Sequence, residues 1–228
     1  MATAVTEPTT TTTLNQNLPE RYYGDYKGKK LVALTFDDGP GPYTERLLNE
    51  MKKRDVKATF FVLGNRVGKY PELIKRMEAE GHTVGNHSYD HPNLTKLSYD
   101  GIRKNMEKTA EKVEAILGHK PEVMRCPGGA CNANVKKYAK AAGIPIIYWG
   151  VDTRDWESRN VNAIMKKSFG SGGITDGSIV LMHDIHETSV DAAIKMMDRL
   201  IDEGYTFVTV PELLMARNGE IEAGIVHY

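Results

Sequence analysis

The chain has 228 residues, enough for one large domain with a sizeable core. Its 30 Lys and Arg balance its 30 Asp and Glu, so charge makes no case for nucleic acid or an anionic membrane as a partner. No apolar run approaches the roughly 20 residues of a membrane span, and two cysteines, Cys126 and Cys131, are too few for a disulfide scaffold.

Residues 1–19 are Thr-rich, with an unbroken run from Thr9 to Thr13 and few large apolar side chains. They are expected to form a linker or disordered tail, with residues 20–228 as the folded domain. Met1-Ala2-Thr3-Ala4 has neither the basic region nor the apolar core of a signal peptide. A Thr-rich stalk belongs with modular secreted proteins. The expected setting is therefore extracellular, with the chain beginning after a removed signal.

Arg21 to Tyr26 reads as a strap packing aromatics on the domain. Leu31 to Phe36 is a short, partly β-branched run that ends in Asp37-Asp38-Gly39-Pro40, which favours a buried strand over a helix. Tyr43 to Lys53 has helical spacing, Ala58 to Gly64 reads as a strand, and Glu72 to Glu80 is a helix closed by Gly81. Thr83 to Asn86 is a strand ending at His87. Ser98 caps a long amphipathic helix that reaches Leu117 and stops at Gly118. Further strands are expected at Glu122–Arg125, Pro145–Val151, Ser178–Met182 and Thr206–Val210. Helices are expected at Asn134–Ala142, Val161–Ser168 and Ser189–Asp202, with a short last one from Pro211. Strand and helix alternate throughout, which implies a parallel sheet with right-handed crossovers. The expected fold is α/β: a distorted, incomplete (β/α) barrel of about seven parallel strands with outer helices. A flat doubly wound sheet is the alternative.

Polar residues gather where these strands end. Asp37 and Asp38 end the first, and two adjacent carboxylates repel unless a cation lies near. His87 and His91 follow the third strand, spaced i and i+4, which places both imidazoles on one side of a helical turn. Imidazole with a carboxylate is a donor set for zinc-like ions. Arg125 and Gly128 follow the fourth, Asp152, Asp155 and Trp156 the fifth, and His183 and Asp184 end the sixth. In a barrel these loops share one face. His82, His119, His186 and His227 lack such a context and read as structural or solvated.

Thr35-Phe36-Asp37-Asp38-Gly39, His87-Ser88-Tyr89-Asp90-His91, Arg125-Cys126-Pro127-Gly128-Gly129, Asp152-Thr153-Arg154-Asp155-Trp156 and Leu181-Met182-His183 resemble, in order, the motifs of the NodB-homology polysaccharide deacetylases, carbohydrate esterase family four. The resemblance runs from about Lys30 to Leu214. It implies a distorted (β/α) barrel and metal-dependent removal of acetyl groups from amino-sugar polymers or xylan, so residues 20–228 would be the catalytic domain. Asp38, His87 and His91 would hold one divalent ion, zinc first, with cobalt or nickel also suited. Asp37 would be the general base, paired with Arg125. The Gly128 N–H would meet the oxyanion. His183 would be the general acid, oriented by Asp155. Leu181 would wall an acetyl pocket and Trp156 would offer a face to a sugar ring. Cys126 departs from the family, where many members carry a second Pro.

The expected substrate is N-acetylglucosamine in chitooligosaccharides or peptidoglycan. Acetylxylan esterase, a different metal hydrolase and a non-catalytic carbohydrate-binding relative are the competing readings. The expected partner is the glycan alone, bound by a monomer or by one module of a larger secreted protein. A Cys126–Cys131 bridge is sterically possible because the intervening glycines permit a tight return. Two reduced thiols are the simpler reading.

Overall fold

Strand β1 (Lys30–Asp37) is the one on which the sheet is built. The computed structural model describes residues 24–228, so the expected linker at 1–19 and the start of the aromatic strap lie outside the described residues. Along one edge of β1, residues Val32–Asp37 pair with β6 (Ser178–His183). The other edge is shared: β2 (Thr59–Val62) pairs with Thr35–Asp37, and β7 (Tyr205–Phe207) pairs with Lys30–Val32. Outside these, β3 (Thr83–Asn86) pairs with β2, and β5 (Val151–Asp152) with β6. Every pairing is parallel. Beyond β3 the wall continues through single bridges, Asn86 to Met124 and Met124 to Ile146, into β4 (Ile146–Ile147) and β8 (Val226–His227). It does not close. This is the distorted, incomplete (β/α) barrel that the sequence predicts.

The two faces of β1 show why. Val32, Leu34 and Phe36 point outward into a core shared with α1 (Thr44–Lys53) and α8 (Glu187–Asp202), which contribute Leu47, Leu48, Met51, Ala193, Met196 and Met197. Leu31 and Ala33 point inward, against Phe61, Ile147, Ile179 and the Leu213 and Leu214 side chains of α9 (Val210–Asn218). A strand covered on both faces reads as a continuous apolar run, as this one does. Ser98 caps α4 (Tyr99–Leu117) by accepting from the Gly101 N–H at 3.1 Å, and Gly118 ends it at φ 84°.

The remaining helices are α2 (Gly64–Val67), α3 (Pro71–Ala79), α5 (Ala133–Ala141), α6 (Asp155–Ser158) and α7 (Val161–Phe169). Neither α2 nor α6 is expected from the sequence. Two expected strands are corrected. Residues 122–125 form no strand; Met124 alone bridges its neighbours, between prolines at 121 and 127 that supply no N–H to a ladder. The expected strand at 145–151 breaks into β4 and β5. The Ile147 and Tyr148 carbonyls that would extend it instead accept from the Arg125 guanidinium.

His82, read as structural or solvated, is buried, and its Nδ1 accepts the Ala58 N–H at 3.1 Å. Burial pushes its imidazole down from 6.5 to about 4. The unfolded chain therefore takes up this proton first, and stability falls as pH drops from about 6.5 to about 4, by up to roughly 3 kcal/mol. Urea unfolding across that window should show a smaller decline for His82→Asn, which can accept the same N–H but cannot titrate. An equal decline in both proteins would assign the acid sensitivity to other groups.

Candidate active site

Asp37 lies on the inward face of β1, two residues after Thr35 and at the end where the strand opens. Arg125 fills the space beneath it and is itself fully buried. Its Nη1 donates to Asp37 Oδ1 at 2.8 Å and to Thr35 Oγ1 at 2.6 Å. Its Nε and Nη2 reach the Ile147 and Tyr148 carbonyls at 3.2 and 2.9 Å. The guanidinium lies 4.2 Å from the Phe61 ring centroid and 5.4 Å from that of Trp149. Burial lowers its pKa, and the Asp37 charge opposes that fall. A planar fork with each arm occupied fixes both its own position and that of the carboxylate it holds.

Asp38 turns the other way. Its φ is 72°, a left-handed conformation that Asp tolerates better than most residues, and this sets its carboxylate toward the loop after β3. His87 Nε2 and His91 Nε2 lie 3.6 and 3.5 Å from Asp38 Oδ1. The expected helical turn is not what brings the two imidazoles together. Residues 87–91 are a loop with Ser88 and His91 at φ 75° and 60°. It is pinned by the Ser88 N–H on Asn86 Oδ1 and the His91 N–H on Ser88 Oγ, and it sets the two rings 5.2 Å apart.

His87 Nδ1 donates to the Arg125 carbonyl at 2.9 Å, which leaves Nε2 as a lone pair. Burial lowers the pKa of this imidazole and keeps it neutral. Asp38 Oδ1 is buried and takes no hydrogen bond. Acceptors that converge with no proton among them fit a cation. Asp38, His87 and His91 can each offer one ligand atom within 4.8 Å of the others, and their donor types suit a divalent ion.

His183 faces this group from β6, with Nε2 4.0 Å from Asp38 Oδ2. Its Nδ1 donates to Asp155 Oδ1 at 2.9 Å, and its backbone N–H to Asp155 Oδ2 at 2.7 Å. Burial pulls the imidazole down, but the bond and charge of Asp155, aided by Asp37 and Asp38, outweigh it and raise the pKa to about 9. The next residue, Asp184, is fully buried and accepts from the Thr44 hydroxyl, while Thr44 Oγ1 accepts the Gly41 N–H at 2.8 Å. Burial raises its carboxyl to about 7. Residue 39 must be glycine here, because a Cβ would lie 2.3 Å from Asp184 Oδ1. The ends of β1 and β6 are thereby tied together.

Eight of the residues singled out from sequence line one cavity of ≈ 390 Å³: Asp37, Asp38, His87, His91, Gly128, Trp156, Leu181 and His183. Arg125 and Asp155 stand behind it, buried, each bonded to a lining residue. Gly128 sits at φ 59° at the rim, and Trp156 is 45% exposed, so its ring is open to a ligand. Trp149, not singled out from sequence, also lines the cavity; so does Asp152, read from sequence as a polar residue following the fifth strand but given no role. Trp149 falls inside the strand expected at 145–151, so no local signal set it apart.

Residues 24–147 match the family model described as polysaccharide deacetylase. Over 188 residues the chain is 47% identical to the peptidoglycan-N-acetylglucosamine deacetylase PgdA of Listeria monocytogenes, covering 82% of this chain and 39% of that one. The chain thus spans about two fifths of that relative's length. It is 39% identical to the chitin deacetylase of Colletotrichum lindemuthianum, covering 81% of this chain and 79% of the other. The solved structure of the T48 deacetylase with substrate superposes with a TM-score of 0.83 at 41% identity, over 90% of this chain and all of that one. The chain belongs to the polysaccharide deacetylase family.

Asp155→Asn removes the charge that holds the His183 proton. In the metal-free protein, NMR titration should place the His183 pKa clearly below the value of about 9 that Asp155 sustains. An unmoved His183 titration would show that Asp155 does not set its protonation.

Proposed function

We propose that this chain is a metal-dependent hydrolase that removes the acetyl group from N-acetylglucosamine residues of chitooligosaccharides or peptidoglycan. The observation that carries this reading is the meeting, across one cavity, of a cation-shaped Asp38–His87–His91 group with two differently supported proton-transfer residues. Asp37 is paired with the buried Arg125 guanidinium, and His183 is held protonated by Asp155. A carboxylate paired with a cation and an imidazole paired with an anion, at one site, are what general base and general acid require. The likeness to deacetylases of peptidoglycan and chitin supports the substrate class. Because those polymers lie outside the cell, so would the protein's work.

When bound by Asp38, His87 and His91, the ion would polarise a carbonyl and lower the pKa of water; zinc is the first choice, with cobalt and nickel suited to the same donors. Asp37 Oδ2, the oxygen not taken by Arg125, accepts the proton of the attacking water. His87 Nε2 lies 3.6 Å from that oxygen, so base and ligand sphere are adjacent. The Gly128 N–H, at the cavity rim, donates to the oxyanion. His183 Nε2 delivers its proton to the leaving amine, and Asp155 offsets the imidazolium charge. An amine leaves poorly until protonated, so this acid matters most for an amide. Leu181 walls the acetyl methyl, and Trp156 stacks on a sugar face.

Three measurements test the reading. His87→Ala with His91→Ala should lose stoichiometric metal and activity together, and full metal occupancy in that double variant would sink the ligand assignment. Asp37→Asn should keep its metal while kcat falls at least about a hundredfold; near-normal turnover would mean that another group is the base. Mass spectrometry of a chito-oligomer or a peptidoglycan fragment incubated with metal-loaded protein should show loss of acetyl groups. No loss there, with rapid acetate release from acetylated xylan, would move the assignment to an O-deacetylase.

A further inference from the structure

The turn that carries Gly128 is bracketed by Cys126 and Cys131, both reduced. Cys126 is fully buried in an apolar cluster with Leu94, Val135 and Ile146. Cys131 packs on the same cluster from a half-buried position. Between them the chain reverses. The Gly129 N–H donates to the Cys126 carbonyl at 2.9 Å and the Ala130 N–H to that of Pro127 at 3.2 Å. Gly128 and Gly129 supply the positive φ angles, 59° and 67°, that such a tight return needs. The Tyr148 hydroxyl donates to the Gly129 carbonyl and holds the turn from outside. The reversal returns Cys131 to the apolar cluster that holds Cys126, with the Cys131 thiol reaching the Asn132 carbonyl at 3.9 Å.

The thiols are unequal. The neighbouring Cys126 thiol, against the effect of burial and with help from the Lys136 charge, brings the Cys131 thiol down to about 7. The Cys131 thiol and its own burial push Cys126 far up. One thiol is therefore reachable and reactive, and the other is sealed but adjacent to it.

We propose that Cys126 and Cys131 are a reversible dithiol–disulfide pair whose oxidation closes a covalent ring around the Pro127–Ala130 turn. The oxidant is an external disulfide, R–S–S–R. The Cys131 thiolate attacks one of its sulfurs, forming a mixed disulfide and releasing the first R–S⁻, which takes up a proton. Cys126 gives its proton to solvent as its sulfur attacks Cys131 Sγ and displaces the second R–S⁻. Two protein thiols and one external disulfide become one internal disulfide and two external thiols. The ring restrains the two most permissive residues of the turn, Gly128 and Gly129. Its bearing on catalysis rests on the deacetylase reading, but the bridge itself is tested without any substrate.

The full chain is incubated with oxidised glutathione or with dithiothreitol, quenched in acid, unfolded, alkylated and weighed intact. The reduced protein should take two alkyl groups. The oxidised protein should take none, remain a monomer and weigh two hydrogens less. Its melting temperature should rise by a few degrees on oxidation, and that of Cys131→Ser should not change. In Cys131→Ser the buried Cys126 should stay free of glutathione. A glutathione adduct that persists on Cys131 of the unsubstituted chain, a disulfide-linked dimer, or two free thiols after oxidation would each overturn the proposal.

Discussion

The buried pair of Arg125 and Asp37 is the constraint on which the rest of the site depends. Removing a guanidinium and a carboxylate from water costs several kcal/mol each and is offset only where their hydrogen bonds are complete. Here the Arg125 arms reach Asp37, Thr35 and two carbonyls, and its own carbonyl receives the His87 ring proton. One residue therefore orients a carboxylate, ends a strand and selects a histidine tautomer. The cost in regular structure is visible beside it. The ladder breaks between β4 and β5 because the carbonyls of Ile147 and Tyr148 are turned toward the guanidinium instead of a neighbouring strand.

Around that pair the site sets two opposite charge pairings within a short distance. Asp37 faces a fixed cation, and His183 faces the fixed anion Asp155. Neither partner is free to move: Arg125 is fully buried, and Asp155 is buried and receives the His183 N–H, the His183 ring and the Trp156 N–H. Such preorganisation in a half-dry cavity is worth more than the same groups arranged in water. The third element, the Asp38–His87–His91 group, is built from left-handed backbone at Asp38 and His91, so its geometry is imposed by the loops on either side and not by regular structure.

What was legible in the sequence follows the same division. The apolar run of β1, the Ser98 cap and the Gly118 stop of α4 were readable because periodicity and capping are local. The site residues were readable because their types cluster at strand ends. Helical spacing gave a wrong account of how His87 and His91 meet, since i and i+4 also suits a loop with positive φ at Ser88 and His91. The 122–125 and 145–151 stretches looked like strands because their composition is right. In 122–125 the flanking prolines withhold N–H groups from a ladder, and in 145–151 the break comes from Arg125, a long-range partner that no local pattern announces. Trp149 was missed for a like reason: its place is set by the guanidinium beneath it.

The unequal depth of the site has an evolutionary consequence. Arg125 and Asp37 occupy the barrel interior where other folds place aliphatic layers, so losing either one exposes a buried charge and endangers folding itself. Trp156 stands at the rim, 45% exposed, and no buried charge depends on its side chain. A lineage drifting away from chemistry while keeping a sugar-binding groove would therefore shed its rim groups first and retain the buried pair as architecture. In this fold the innermost ion pair would be the last record of the reaction to disappear.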